Sequence, residues 1–117
     1  MNIYGAKVVV LDLNFDKEIK NENIFFEKFN VSNLNLIDSQ IKKITSKHGC
    51  PNIMINASYP RSKDWSKSSF DKITTKSLKE NVDMHMNSYA WLTIKFANLM
   101  KKNKIKGSII LLNSIYG

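Results

Sequence analysis

Gly107-Ser-Ile-Ile-Leu-Leu-Asn-Ser-Ile-Tyr-Gly117 is the stretch that decides how this chain is read. The run Ser108 to Leu112 is short and apolar and is opened by a glycine, the pattern of a strand covered on both faces. Strands of open parallel sheets carry chemistry at their carboxyl ends, because the ligand crevice lies just outside them. Asn113 and Ser114 stand at that position.

Upstream, strand and helix signals alternate. Lys7 to Leu11 reads as an apolar strand, and Asn14 to Asn23 as a polar, charged connection. Asn23 to Val31 contains a second strand, shorter than that span. Leu34, Ile37, Ile41 and Ile44 then recur at spacings of three and four, marking a helix that Ser32 or Asn33 caps and His48-Gly49 ends. Pro51 breaks the chain before a third strand, Ile53 to Ile55. An irregular stretch from Ser58 to Ser69 leads to a long helix from about Thr75 to Lys102. Leu78, Val82, Met86, Tyr89, Leu92, Phe96 and Leu99 trace one face of it. This order predicts the α/β class, a doubly wound parallel sheet with crossover helices.

Composition narrows the partners. The 117 residues, 43% of them hydrophobic, suffice for one modest domain. The net charge of +8 comes from eighteen basic residues, of which only Arg61 is arginine. Readers of nucleic acid use arginine forks heavily, and the lysines here are scattered, so no nucleic-acid partner is expected. The single Cys50 cannot form an internal disulfide and fits a reducing compartment. Beside Pro51 it reads as a buried, inert thiol. No apolar run reaches the length of a membrane span and no signal peptide is visible. A cytoplasmic location with no membrane partner is therefore expected, and no metal ligand set is evident.

Several segments resemble one family in order and spacing. Asn113-Ser114-Ile-Tyr-Gly117 resembles the Asn-x-Ser-Ser-x-x-Gly strand of the short-chain dehydrogenase/reductases. Gly5-Ala-Lys-Val-Val-Val-Leu-Asp12 resembles that family's second strand, Phe29-Asn-Val-Ser-Asn33 the segment after its third, and Met54-Ile-Asn-Ala-Ser58 the end of its fourth. Tyr59-Pro-Arg61, with Ser114-Ile-Tyr-Gly117, resembles a bacterial subgroup associated with flagellin glycosylation and surface-polysaccharide biosynthesis. The resemblance implies a partial Rossmann-like fold, the second to fifth strands, and hydride transfer between a nicotinamide and an alcohol or ketone.

The residues carry over one at a time. Ser114 would be catalytic, hydrogen-bonding the reacting oxygen. Asp12 would hold the adenosine ribose, and because a carboxylate there repels a 2′-phosphate, NAD is implied in preference to NADP. Asn30 stands where the family has an aspartate that touches adenine, and it also reads as an ordinary turn residue. Asn56 matches the end of the fourth strand, with Ala57 small enough for close approach to the cofactor; Tyr59 replaces a glycine. Arg61 and Tyr59 suit recognition of a phosphate or carboxylate on a small-molecule sugar substrate. His85, in Asp83-Met84-His85-Met86, falls near the family's mid-helix proton relay, and an imidazole suits that task; it also reads as a packed core histidine. Pairing of the helix 75–102 with a second copy implies a homo-oligomer.

Two family features have no counterpart here: the Gly-x-x-x-Gly-x-Gly turn and the Tyr-x-x-x-Lys pair. Residues 1–117 are thus expected to be a partial NAD(P)-binding domain, truncated at both ends and inactive by itself. Met1-Asn-Ile-Tyr-Gly5 would be the last turn of a preceding helix, and the first strand would be missing from the middle of the sheet. A non-catalytic binding module, a pseudoenzyme or gene relic, is the alternative.

Overall fold

The computed structural model describes residues 5–15, 21–67 and 69–114. Four strands, β1 (Val8–Asp12), β2 (Ile24–Lys28), β3 (Ile53–Asn56) and β4 (Ser108–Leu111), alternate with helices. The helices are α1 (Leu34–His48), α2 (Thr75–Val82) and α3 (Ser88–Lys102). β1 pairs β2 in parallel, with Val8 opposite Ile24 and Asp12 opposite Lys28. β3 pairs β4 in parallel, with Ile53 opposite Ser108 and Asn56 opposite Leu111. Among the described residues no ladder joins β1 to β3, so the sheet is built as two parallel pairs. The break falls where the sequence resemblance places the family's first strand. The segments that resemble the family's second to fifth strands are the four strands observed. Residues 1–4 of the expected preceding helix turn, and the Ile115 to Gly117 end of the serine motif, lie outside the described residues.

Local chemistry explains the helix limits. Asn33 caps α1, its side chain accepting from the Asn35 N–H at 3.1 Å. Gly49 ends it with φ 89°, a left-handed conformation that favours glycine, its N–H donating to the Thr45 carbonyl at 2.9 Å. Thr74 caps α2 by accepting from the Ser77 N–H at 3.1 Å.

One apolar core joins the sheet to α1 and α3. Ile37, Ile41 and Ile44 of α1 and Leu92, Phe96 and Met100 of α3 meet Phe29 and Met54, with Val9, Leu11 and Ile109 against them. β3 shows the alternation sharply: Met54 and Asn56 face inward while Ile53 and Ile55 face out, 60% and 43% exposed. Both helices pack on the same face of the sheet. The opposite face, including Ile55, Ile110 and Leu112, is exposed among the described residues, which corrects the expectation that the last strand is covered on both sides.

The long helix also differs from expectation. It is interrupted by a π turn at Asp83–Asn87, where the Ser88 N–H donates to the Asp83 carbonyl five residues back. Leu92 and Phe96 are buried as the apolar stripe predicts, but Leu78, Val82 and Met86 are 53%, 37% and 65% exposed. In α2 the buried side is polar instead. Ser77 is 2% exposed, and Asn81 Nδ2 donates to the Ser77 carbonyl at 2.8 Å and to Ser62 Oγ at 3.2 Å. Hydrogen bonding to the preceding loop, itself anchored by the buried Ser62, turns α2 this way.

Candidate functional site

Each strand delivers a polar residue just where it ends. Asp12 closes β1, exposed, with Oδ1 accepting from the Leu13 N–H at 2.6 Å. Asn30 follows β2 and is held at three points: its Oδ1 accepts from the Ser32 N–H at 2.9 Å, its N–H donates to Gln40 Oε1 at 2.7 Å, and its carbonyl accepts from Gln40 Nε2 at 3.1 Å. Asn30 therefore sits in a turn, whose bonds use its side-chain oxygen and its backbone. The two-point clamp from Gln40 ties the turn to α1, a contact between residues ten apart that no motif announces.

Asn56 ends β3 and is 5% exposed. Its Oδ1 accepts from both the N–H and the hydroxyl of Ser58, at 3.1 and 2.7 Å, while its Nδ2 is buried with no partner among the described residues. A buried, unpaired amide donor is costly, so it marks a place where an acceptor belongs. Ala57 beside it is exposed. The pairing of β4 continues past its last residue, the Leu112 N–H donating to the Asn56 carbonyl at 3.0 Å. That ladder leads into Asn113, whose Oδ1 accepts from the Ser114 N–H at 2.8 Å, leaving Ser114 exposed two residues beyond Asn56's neighbour. Asn56 and Ser114 are thus brought to one edge.

A second group gathers on the loop after β3. Tyr59, 59% exposed, meets Trp65 edge-on, with centroids 6.1 Å apart and planes at 85°. Both rings lie against the His85 imidazole, at 5.2 and 5.9 Å. The Arg61 guanidinium sits over Tyr59 at 5.2 Å, exposed. His85 belongs to the π turn, and its Nε2 is shut off from solvent with no partner among the described residues. Such turns concentrate at functional sites. The sequence singled out Tyr59 and Arg61 on the segment that ends at Trp65, but not the contact of Tyr59 and Trp65 with His85. Tyr89, assigned to the core or to helix pairing, is half-buried and donates its hydroxyl to the Ser58 carbonyl, docking α3 on the exit of β3.

Electrostatics elsewhere are structural. Burial pushes the Cys50 thiol up, in keeping with an inert residue. Lys47 first, then His48, holds the Glu27 carboxyl below its ordinary range through hydrogen bonds of 2.5 and 2.7 Å. Among the described residues no helix is long and apolar enough to cross a membrane.

No family model matches the chain. Post-translational flagellin modification protein A of Campylobacter coli is 24% identical over 108 residues, 92% of this chain and 41% of that protein. A short-chain dehydrogenase from Leptospira borgpetersenii, solved with bound NAD+, superposes with a TM-score of 0.81 at 22% identity, over 97% of this chain and 44% of that one. One from Bacillus anthracis gives 0.76 at 20% identity, over 97% and 47%. 4-Hydroxyisoleucine dehydrogenase complexed with NADH gives 0.71 at 22% identity, over 93% and 45%. The chain spans less than half the length of each. It therefore carries part of the short-chain dehydrogenase/reductase fold, and the resemblance first visible in the strand ends is met by the sequence of the flagellin modification protein and by the folds of the dehydrogenases.

Proposed function

We propose that the chain belongs to an oxidoreductase of the short-chain dehydrogenase/reductase type that moves a hydride between a nicotinamide and an alcohol or ketone, on a sugar or sugar-derived substrate of surface or flagellar glycan synthesis. The observation that carries this reading is Asn56, a buried amide with an uncommitted donor at the end of β3, set beside the strand that leads to Ser114. That donor fits a dinucleotide, which offers acceptor oxygens. Asp12 at the exposed end of β1 would hold its ribose and favour NAD over NADP. Asn30 would face the adenine with its side-chain amide, and Ala57 would leave room for the ribose next to the nicotinamide. When bound, the nicotinamide supplies the hydride exchange.

The remaining roles fall to this chain's side chains. Ser114 would donate its hydroxyl to the substrate oxygen, stabilising the charge that builds there. His85 would pass protons through its unpaired nitrogen, and Arg61 with Tyr59 would hold the substrate. General acid-base catalysis needs a further group with a tuned pKa, in the family a tyrosine beside a lysine. Residues 1–117 are proposed to be part of one nucleotide-binding domain whose remainder supplies it. The exposed Leu78, Val82, Met86 and Ile94 along α2 and α3 would pair with a second copy. A cytoplasmic site agrees with a soluble cofactor. The flagellin-modifying relative and the dehydrogenase neighbours support the enzyme over a non-catalytic module.

The test is the protein encoded when the reading frame is followed upstream of Met1 and past Gly117. It is expected to reduce NAD in preference to NADP, and Asp12→Ala to erase that preference. Ser114→Ala should lower kcat about a hundredfold or more while leaving NAD affinity nearly unchanged. A frame that ends at Gly117, or an extended protein with no NAD-dependent turnover, supports the non-catalytic module instead.

A further inference from the structure

Three rings, one cation and one unsatisfied nitrogen meet on the loop that follows β3. Tyr59 and Trp65 present exposed faces, 59% and 40% accessible, at a right angle to one another. Such a corner offers a single wall to any one face of a guest. A flat aromatic guest gains most between parallel walls. A puckered ring with an apolar side and hydroxyls at its rim suits a corner better, since one side packs on a ring while the rim stays free to hydrogen-bond. Arg61 stacks on Tyr59 at 5.2 Å and forms no ion pair among the described residues, so its fork of donors is open to an anion. His85 Nε2, against both rings, is buried without a partner among the described residues. That cost is relieved when a hydroxyl reaches it.

The loop is built to hold this shape. Ser62, buried to 5%, accepts from Asn81 of α2, and the Trp65 N–H donates to the Ser62 carbonyl at 3.1 Å. The Tyr89 hydroxyl anchors the Ser58 carbonyl just ahead of Tyr59. The chain ahead of Tyr59 and the chain between the two rings are therefore pinned to the helices, and the guest would meet a preorganised surface.

We propose that Tyr59, Arg61, Trp65 and His85 form a subsite for an anionic sugar: a pyranose whose apolar side packs on one of the two rings with the other against its edge, whose carboxylate or phosphate takes the Arg61 fork, and one of whose hydroxyls pairs with His85 Nε2. The proposal deepens the substrate reading above and rests on it for the identity of the guest as substrate. It adds Trp65 as a recognition residue and gives His85 a role in binding.

Trp65 reports on the site directly. Trp91 is the chain's other tryptophan, so Trp91→Phe leaves Trp65 as the only such emitter. The 117-residue chain with this change is titrated in trimethylamine N-oxide, which favours the folded state, against galacturonate, glucose 6-phosphate, galactose, phenyl phosphate and inorganic phosphate. A saturable change in Trp65 emission with galacturonate or glucose 6-phosphate is expected, and which of the two binds tells carboxylate from phosphate. Arg61→Ala should weaken that binding about tenfold or more. His85→Phe, which keeps a ring and removes the nitrogen, should weaken it severalfold. Galactose should bind at least about tenfold more weakly than the preferred anion.

Silence with both sugar anions overturns the proposal. So does equal affinity for galactose, which removes the arginine, or for phenyl phosphate or inorganic phosphate, which removes the sugar ring. The readout is binding and not hydride transfer. Sugar binding here beside an extended protein without dehydrogenase activity would keep the subsite and remove the oxidoreductase reading; the reverse result would remove the subsite alone.

Discussion

Asn56 spends its oxygen on the Ser58 turn and keeps its nitrogen buried without a partner among the described residues, whereas Asn30 sits in a turn clamped by Gln40. Both are strand-end asparagines, and sequence alone could not separate them, because the difference is made by partners. The placement of Asp12, Asn56 and Ser114 at strand ends was legible since a strand end is a local pattern. The ring contacts at His85 were not, because they join residues twenty or more apart through a loop without periodicity. At this scale Glu27 gives a prediction. Lys47 and His48 hold its carboxyl below the ordinary value of 4.5, so its contribution is complete above that value and is lost as pH falls through the lowered folded one. In osmolyte, Glu27→Gln should lower stability by about 1 kcal/mol at neutral pH, and the gap to the parent chain should close under acid. Melts of the two proteins across pH 7 to 3 measure this; a gap that does not change with pH would remove the ion pair as its cause.

Among the elements, α1 and the strands were readable because their buried faces follow a simple period, as Ile37, Ile41 and Ile44 do. The α2 segment misled, since its apolar residues face solvent and its Ser77 and Asn81 face the loop. A strand entry supplies the sharpest test. A Cβ on Gly107 would lie 2.6 Å from the Asn52 carbonyl oxygen and 2.6 Å from Met100 Sδ. The methionine can move, but the backbone oxygen belongs to the β3–β4 ladder, where the Ser108 N–H donates to it at 2.9 Å. Gly107→Ala is therefore expected to cost about 1–3 kcal/mol, read as a lowered denaturation midpoint in osmolyte. An unchanged midpoint would mean that β4 enters less closely than described.

For the molecule as a whole, the radius of gyration is 16.0 Å, against roughly 13 Å for a compact domain of this length. The excess agrees with a sheet in two pairs and one uncovered face, where Ile53, Ile55, Ile110 and Leu112 meet water. Unpaired strand edges beside exposed apolar faces invite association. The 117-residue chain expressed by itself is expected to melt broadly, to aggregate in plain buffer, and to gain little from NAD. A sharp transition raised by several degrees with NAD, seen by calorimetry, would show a self-sufficient dinucleotide-binding unit.

The π turn at Asp83–Asn87 adds one residue to a helical turn, and in a helix one residue is worth about 100° of rotation. It thus works as a phase adjuster: the polar flank of α2 and the apolar flank of α3 sit on the same side only because of that extra residue. Wound as an uninterrupted α-helix, the same sequence would turn Ser77 and Asn81 about 100° away from Ser62. A lone deletion there is therefore absorbed by the turn, which closes to an ordinary helical one and leaves the facing of both flanks as it was.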